Sequence, residues 1–287
     1  MKQFRNILYL LSITLLAACE PRLYFPDRVN APGFKEAKEF KATISGKPQS
    51  GDTVSGKTPG AALSPAIDLA YSVTDHFAVI ASYRDELNNY IYEQKITGNQ
   101  GLGHHNTFGG QFNGNYLEGG AGYFTPYDNH GRLEVFAGYG AGSMARTSLF
   151  TPQFDYSANY HRFFLQPALG YYNDIFSLMG GFKFIFQKYG SFQSGNSDLK
   201  YLITTPDGYV SGTDVTSQLF VFVQPFVNMD IGYKYVRFDI QMGYSAETVG
   251  GYISGSFPVY ITLGATFNYA PRFFKKRPER VIYNKEN

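Results

Sequence analysis

The feature that most limits this chain is strict alternation. Over residues 259–269, Val259, Ile261, Leu263, Ala265, Phe267 and Tyr269 take every second place. Tyr260, Thr262, Gly264, Thr266 and Asn268 fall between them. A period of two puts these sets on opposite faces of a strand, whereas a helix would scatter both around its circumference. Residues 236–244 repeat the pattern, with Val236, Phe238, Ile240, Met242 and Tyr244 against Arg237, Asp239, Gln241 and Gly243. Leu219, Val221, Val223, Val227, Met229 and Ile231 oppose Gln224, Asn228 and Asp230, with Phe220, Phe222 and Phe226 on the polar side. Phe176, Leu178, Phe182, Phe184 and Phe186 oppose Ser177, Lys183 and Gln187. Further strands are predicted over 161–172, 132–144, 116–125, 77–85, 65–73 and 34–45. Most are about 10 residues long, the length at which a tilted strand crosses the hydrocarbon layer.

Connections of two kinds separate these strands. Residues 74–76, 126–131, 173–174 and 234–235 are short turns. Residues 46–64, 86–115, 146–160, 188–217 and 246–257 form long stretches rich in Gly, Ser, Asn and Thr. Short turns at one end and long loops at the other are the layout of an outer-membrane barrel, whose long loops face outward. The expected fold is therefore all-β, a single antiparallel transmembrane β-barrel of about ten strands in up-and-down order. A soluble two-sheet sandwich also alternates. Its core, however, would have to hold Arg132, Glu134, Lys183, Arg237 and Asp239 together. Pro167 and Pro225, in Leu165-Gln166-Pro167 and Val223-Gln224-Pro225, fall inside strands and predict a bulge at each.

Composition agrees. Charged residues are 17% and aromatic residues 17%, supplied by 24 Tyr and 26 Phe with no Trp, beside 31 Gly. Mean hydropathy is nevertheless −0.24, as expected when apolar and polar residues take turns. Beyond the N-terminus no apolar run approaches the ~18 residues of a membrane helix. The formal net charge of +2 includes Lys2 and Arg5, and nothing in it points to a nucleic-acid partner.

Those two cations open a secretory signal: a basic start, an apolar run over residues 7–16, then Leu16-Ala17-Ala18-Cys19. The end of this signal resembles the lipobox of bacterial lipoproteins. The resemblance implies cleavage of residues 1–18 and a lipid on Cys19, the chain's single cysteine. One cysteine supports no disulfide framework. Residues 19–33, with Pro21, Pro26 and Pro32, are expected to be an extended periplasmic tether. The barrel follows over 34–270, and then a basic periplasmic tail, 271–287, carrying Lys275, Lys276, Arg277 and Arg280. An even strand number places both barrel ends, and hence the lipid anchor, on the periplasmic side.

Thr262-x-Gly264-x-x-Phe267-x-Tyr269 resembles the terminal-strand signal read by the barrel insertion machinery, although here the chain continues past it. Tyr24-x-Pro26-x-x-x-Asn30-x-Pro32 with Glu36 and Glu39, and the run from Asp68 through Leu69, Ala70, Tyr71, Ser72, Val73, Thr74 and Asp75 to His76, together resemble a group of lipobox-bearing barrel proteins of the Bacteroidota. That resemblance implies location in the outer membrane and a barrel fold, with no activity attached.

Inward-facing charges are the candidate functional set: Asp68, Arg84, Glu118, Arg132, Glu134, Arg162, Lys183, Asp230, Arg237 and Asp239. Near balance of sign favours mutual neutralisation over a selectivity ring of one charge. The inward Phe136, Phe220, Phe222 and Phe226 fit a filled lumen. His76 and His130 fall in short turns, and His104 and His105 in a loop without the spaced acids that activate water. His161 with Asp155 is a weak candidate pair. Adjacent histidines without an acid or cysteine cluster make a poor metal site, so neither metal nor cofactor is expected. Gly101-x-Gly103 and Gly138-x-Gly140-x-Gly142 lack the context of a phosphate loop; the latter instead relieve crowding on the inner face of a curved sheet. The sequence thus points to a non-enzymatic surface-binding or structural barrel whose extracellular ligand it does not name. A narrow conduit for small or apolar molecules is the alternative, and an outer-membrane enzyme the weaker third. The expected partners are outer-membrane lipid and the insertion machinery. Mass spectrometry of the purified protein is expected to show an acylated N-terminal Cys19; an unmodified start elsewhere contradicts the lipobox reading.

Overall fold

The computed structural model describes residues 24, 26–49, 62–96, 104–148, 155–173, 175–194, 214–249 and 259–274. Its strands are β1 (Phe40–Gln49), β2 (Ala62–Ser72), β3 (Phe77–Ile96), β4 (His104–Pro126), β5 (Gly131–Ser148), β6 (Tyr156–Tyr172), β7 (Phe176–Ser194), β8 (Phe220–Tyr233), β9 (Val236–Tyr244), β10 (Ala246–Val249) and β11 (Val259–Tyr269). β9 and β10 both pair with β8 and flank Ser245, so they act as one interrupted strand in a ten-stranded wall. Every neighbour pair is antiparallel, and β1 pairs with β11 from Phe40↔Tyr269 to Gly46↔Leu263, which closes the sheet into a barrel. Closure leaves no open edge, the condition for a sheet to exist in hydrocarbon.

Burial is inverted relative to a soluble protein. The outward set carries Ile44, Leu117, Phe163, Leu169, Val236, Phe238, Ile261 and Leu263, all exposed, while charges and amides lie inside. Tyr71, Phe77, Tyr123, Tyr127, Tyr171, Tyr233 and Tyr269 stand exposed at the short-turn end, as an interfacial aromatic girdle does. His76 and His130 stack on Tyr123 and Tyr171 at that same rim, so these histidines extend the girdle.

Strand length divides the wall. β1, β2, β9 and β11 hold 9–11 residues, but β3 to β7 hold 17–23. At ~3.3 Å per residue and a tilt of ~40°, the short strands match an apolar band ~25 Å tall. The five long strands overshoot it by roughly 20–30 Å on the same reckoning. Alternation alone assigns much of this overshoot to loops. β3 and β4 in fact stay paired up to Ile96↔His104, inside the stretch 86–115 expected to be a connection. β5, β6, β7 and β10 likewise extend into 146–160, 188–217 and 246–257. Above the lipid the outer face no longer needs to be apolar, so alternation disappears while the ladder continues.

Three other expectations are corrected. The first strand starts at Phe40 rather than residue 34, because residues 26–34 lie inside the barrel instead of in its wall. For the same reason Tyr24 and residues 26–33 are not a periplasmic tether: all of them are buried. Finally, neither proline makes a bulge. Register runs on from Leu165↔Phe184 to Ala168↔Gly181 past Pro167, and from Gly181↔Phe226 to Phe184↔Val223 past Pro225. Proline's missing N–H is met by a lapse of pairing, at Gln166 and Pro167 on the β7 side, and just past Phe226 on the β9 side. The register shifts in the described strands lie between Asn159 and Tyr160 and between Glu247 and Val249.

Gly138, Gly140 and Gly142 of β5 do make room in the lumen. A Cβ at these positions would run into the rings of Phe164, Tyr116 and Tyr160 respectively. Gly140→Val should therefore overpack the interior and destabilise the barrel by about 1–3 kcal/mol. A lower temperature for the heat-induced gel-mobility shift is the expected readout, and an unchanged temperature would refute the packing argument.

Candidate functional site

All ten charges assigned to the inner face are buried in the barrel: Asp68, Arg84, Glu118, Arg132, Glu134, Arg162, Lys183, Asp230, Arg237 and Asp239. Only part of their neutralisation runs from wall to wall. Arg84 on β3 donates to Asp68 on β2 at 2.6 Å, and Lys183 on β7 donates to both oxygens of Glu118 on β4 at 2.7 Å. Arg132 and Glu134 do not pair with each other; Arg132 donates to the backbone carbonyls of Asp128 and Gly131. Arg237 donates to the Tyr172 hydroxyl and the Asn173 carbonyl, each at 2.9 Å. Asp230 and Asp239 stand opposite each other on β8 and β9, an adjacency that needs a cation.

That cation comes from outside the wall. Residues 26–33 run as an extended strap through the lumen, and Arg28 lies at its centre. Its Nε donates to Asp68 at 2.7 Å, its Nη2 to Asp239 at 2.9 Å, and its Nη1 to the other Asp239 oxygen. The planar guanidinium fork fits this two-carboxylate arrangement, for which a lysine ammonium has no equivalent. Above Arg28, Asp27 accepts from Arg162 Nη1 at 2.8 Å. Below it, the Phe34 amide donates to Glu134 at 2.8 Å.

The strap's own backbone is satisfied by wall amides. Gln166 donates to the Asn30 carbonyl at 2.9 Å, and Gln224 donates to the Asp27 carbonyl. Gln241 both accepts from the Val29 amide at 2.6 Å and donates to the Val29 carbonyl at 2.8 Å, as a neighbouring strand would. An extended segment without a ladder has every polar backbone group to account for, and these glutamines supply partners. The two Gln-Pro pairs noted in the sequence therefore behave alike. Each proline lies where wall pairing lapses, and each glutamine before it holds the strap. Sequence reasoning finds the repeat but misses this role, and it assigns Asp27 and Arg28 to the tether.

The short-turn end is closed by a second cluster. Arg272, just after β11, forms ion pairs with Glu39 and, at 3.6 Å, with Glu36, and donates to the Tyr172 hydroxyl at 3.1 Å. Pro271–Phe273 is a single 3-10 turn held against the barrel, so the tail does not begin free at residue 271. The remaining basic residues, Lys275, Lys276, Arg277 and Arg280, lie outside the described residues, as do Cys19 and the signal segment.

His161 is on the outer wall, its Nδ1 hydrogen-bonded to the Tyr139 hydroxyl, while the backbone of Asp155 lies beside Ser194. Among the described residues no group of three His, Cys, Asp or Glu could hold a metal ion. Two lumenal cavities, beside Arg162 and beside Arg28, have volumes of about 10 Å³ each. Each has room for one water.

No protein-family model and no curated protein matches the chain. Solved structures similar in fold include the outer membrane protease OmpT from Escherichia coli, with a TM-score of 0.39 and 10% identity over 81% of this chain and 94% of that one. The translocator domain of the autotransporter NalP from Neisseria meningitidis has a TM-score of 0.45 and 10% identity over 94% of this chain and 98% of that one. An outer membrane channel from Pseudomonas putida F1 has a TM-score of 0.35 and 11% identity, over 84% and 100%. All are outer-membrane barrels.

Arg28→Ala should leave Asp239 buried without its guanidinium and lower stability by about 3–5 kcal/mol, the cost of breaking a buried pair from one side. Arg28→Lys keeps the charge without the fork and is expected to fall between. Urea titration of the folded band on gels measures both, and an Arg28→Ala protein as stable as the parent would show that the strap is not structural.

Proposed function

We propose that this protein is a closed, non-catalytic outer-membrane barrel that acts by binding at its long-loop end. One observation carries the reading: the lumen is occupied along its length by the protein's own strap, bonded to the wall through Arg28, Asp27 and the three glutamines. A conduit needs a continuous aqueous path. An enzyme of the barrel rim needs a base and an acid that converge. The charges here face each other and the strap, not an open site.

Binding fits the raised wall of β3 to β7. Where these strands leave the apolar band, their outward residues become polar: Asn113 and Asn115 on β4, Ser143 on β5, Ser157 and Asn159 on β6, Gln193 on β7, with the single carboxylate of Asp85 on β3 beside them. They border a recess of about 320 Å³. Amides and hydroxyls beside one carboxylate, presented by paired strands rather than by loops, make a surface for a polar ligand outside the cell. The barrel beneath it then acts as a foot in the membrane.

Planar-bilayer recording of the purified parent protein separates this from transport. The expected trace shows no stepwise current at neutral pH. Reproducible unitary conductance from the parent would make the protein a conduit instead.

A further inference from the structure

The strap has a direction, and the direction decides where the chain's N-terminus is. Its contacts climb the barrel overall as residue numbers fall, although the Arg28 side chain reaches back to Asp239, below the Gln241 that Val29 meets. Phe34 meets Glu134, near the start of β5 at the short-turn end. Asn30 meets the Leu69 and Ala81 carbonyls, and its own carbonyl meets Gln166, six residues along β6 from its turn. Arg28 meets Asp68 and Asp239, and Asp27 meets Arg162, well along β6 from its turn. The Pro26 carbonyl accepts from Lys47, near the far end of β1. Tyr24 stacks on Phe222 with centroids 3.8 Å apart and donates to Gln224 at 3.1 Å, towards the long-loop end of β8.

The lower entry is fixed. Lys38 takes a left-handed φ of 64°, the Ala37 amide donates to Asp75 at 2.9 Å, and the Lys38 amide donates to the Ser72 carbonyl at 2.7 Å. These contacts turn the chain sharply from strap into β1. From Gly33 to Tyr24 the chain can span at most roughly 30 Å, about the thickness of the hydrocarbon layer.

We infer that the chain crosses its own barrel with its N-terminus outward, so that the residues ahead of Tyr24 are presented on the long-loop face, at the cell surface. Tyr24 is packed among aromatic rings on its way out. Tyr116, Tyr160, Tyr189, Phe220 and Val215 are buried in one cluster with it, and the Arg162 guanidinium lies over the Tyr24, Tyr116 and Tyr160 rings. There is not chain enough to go back. Cys19 precedes Tyr24 by five residues, a reach of at most ~18 Å, against the ~30 Å needed to regain the short-turn side. A lipid on Cys19 would accordingly be held on the outer side of the membrane. This differs from the periplasmic placement expected from strand parity, which assumed that residues 19–33 begin where the first strand begins.

Added cysteine reporters, read against the parent whose only cysteine is Cys19, test the direction. Arg22→Cys lies ahead of the strap, Thr205→Cys in the connection between β7 and β8, and Asn129→Cys in the short turn between β4 and β5. Intact cells are treated with a membrane-impermeant maleimide polymer, with permeabilised and denatured samples alongside. Arg22→Cys and Thr205→Cys are expected to react in intact cells, and Asn129→Cys only after permeabilisation. Arg22→Cys reacting only after permeabilisation, while Thr205→Cys reacts on intact cells, would overturn the inference. So would Arg22→Cys reacting only when denatured, because the segment would then lie inside the lumen. Exchange of the Thr205→Cys and Asn129→Cys patterns would instead overturn the loops-outward orientation, and surface display with it.

Discussion

A single guanidinium shared between two buried aspartates holds the interior together. Arg28 is nearly inaccessible, as are Asp68 and Asp239, and its fork reaches both carboxylates. Charges in a low-dielectric interior are tolerable only when paired, and pairing that relies on one side chain makes the rest depend on it. Asp239 faces Asp230 across the β8–β9 ladder, so removing Arg28 would leave two acids adjacent. Geometry explains why the cation comes from a separate segment. An eight-stranded barrel is just wide enough for its own side chains to fill, and diameter grows with strand number. Ten strands leave a residual bore, and here one extended strand of chain occupies it.

Outside the barrel the constraint is the reverse. Hydrocarbon cannot satisfy backbone groups, so the wall must close and its outer face must be apolar over the band's height. Both conditions lapse above the membrane, and there β3 to β7 continue as paired strands with Asn, Ser and Gln outward. The wall is thus a membrane device at its short-turn end and a sheet clear of the apolar band at its long-loop end. The binding reading rests on this asymmetry, because a rigid sheet presents the same polar groups continuously, at little ordering cost.

What the sequence made legible follows from which periodicities physics imposes. Alternation is enforced in the membrane, and it located the wall there and the inward orientation of every predicted lumenal charge. It carries no information where both faces are polar, which is why the upper parts of β3 to β7 read as loop. It is also silent about the strap. An extended segment contacting walls on all sides has no dry face and no wet face, so Asp27, Arg28 and Asn30 look like solvated linker. The two sequence motifs around Asn30 and Asp68 contained the missing contact in separate pieces. Arg28 and Asn30 lie within the first motif, whose flank includes Glu36; Asp68, Leu69, Ser72 and Asp75 lie within the second. The fold joins them through Arg28 to Asp68, Asn30 to the Leu69 carbonyl, Ser72 to the Glu36 carbonyl, and the Ala37 amide to Asp75. Nothing in a linear pattern distinguishes such a pair from two unrelated runs.

The position of Arg28's partners also accounts for how a chain can lie inside a barrel it helps to build. The strands around the closing seam run β2, β1, β11, β9. Asp68 belongs to β2 and Asp239 to β9, so Arg28 links the two strands that flank the seam, inside the Thr43–Thr266 hydroxyl contact that crosses it at 2.8 Å. The strap precedes β1 directly and turns into it at Lys38. While the seam is open, the segment can lie against the inner face of β2 and β3 without being threaded through anything. Pairing of β1 with β11 then encloses it, and the same step brings Asp239 within reach of Arg28. Filling the bore, neutralising its acids and bracing the closed wall thus rest on the same contacts, carried by the segment that directly precedes β1.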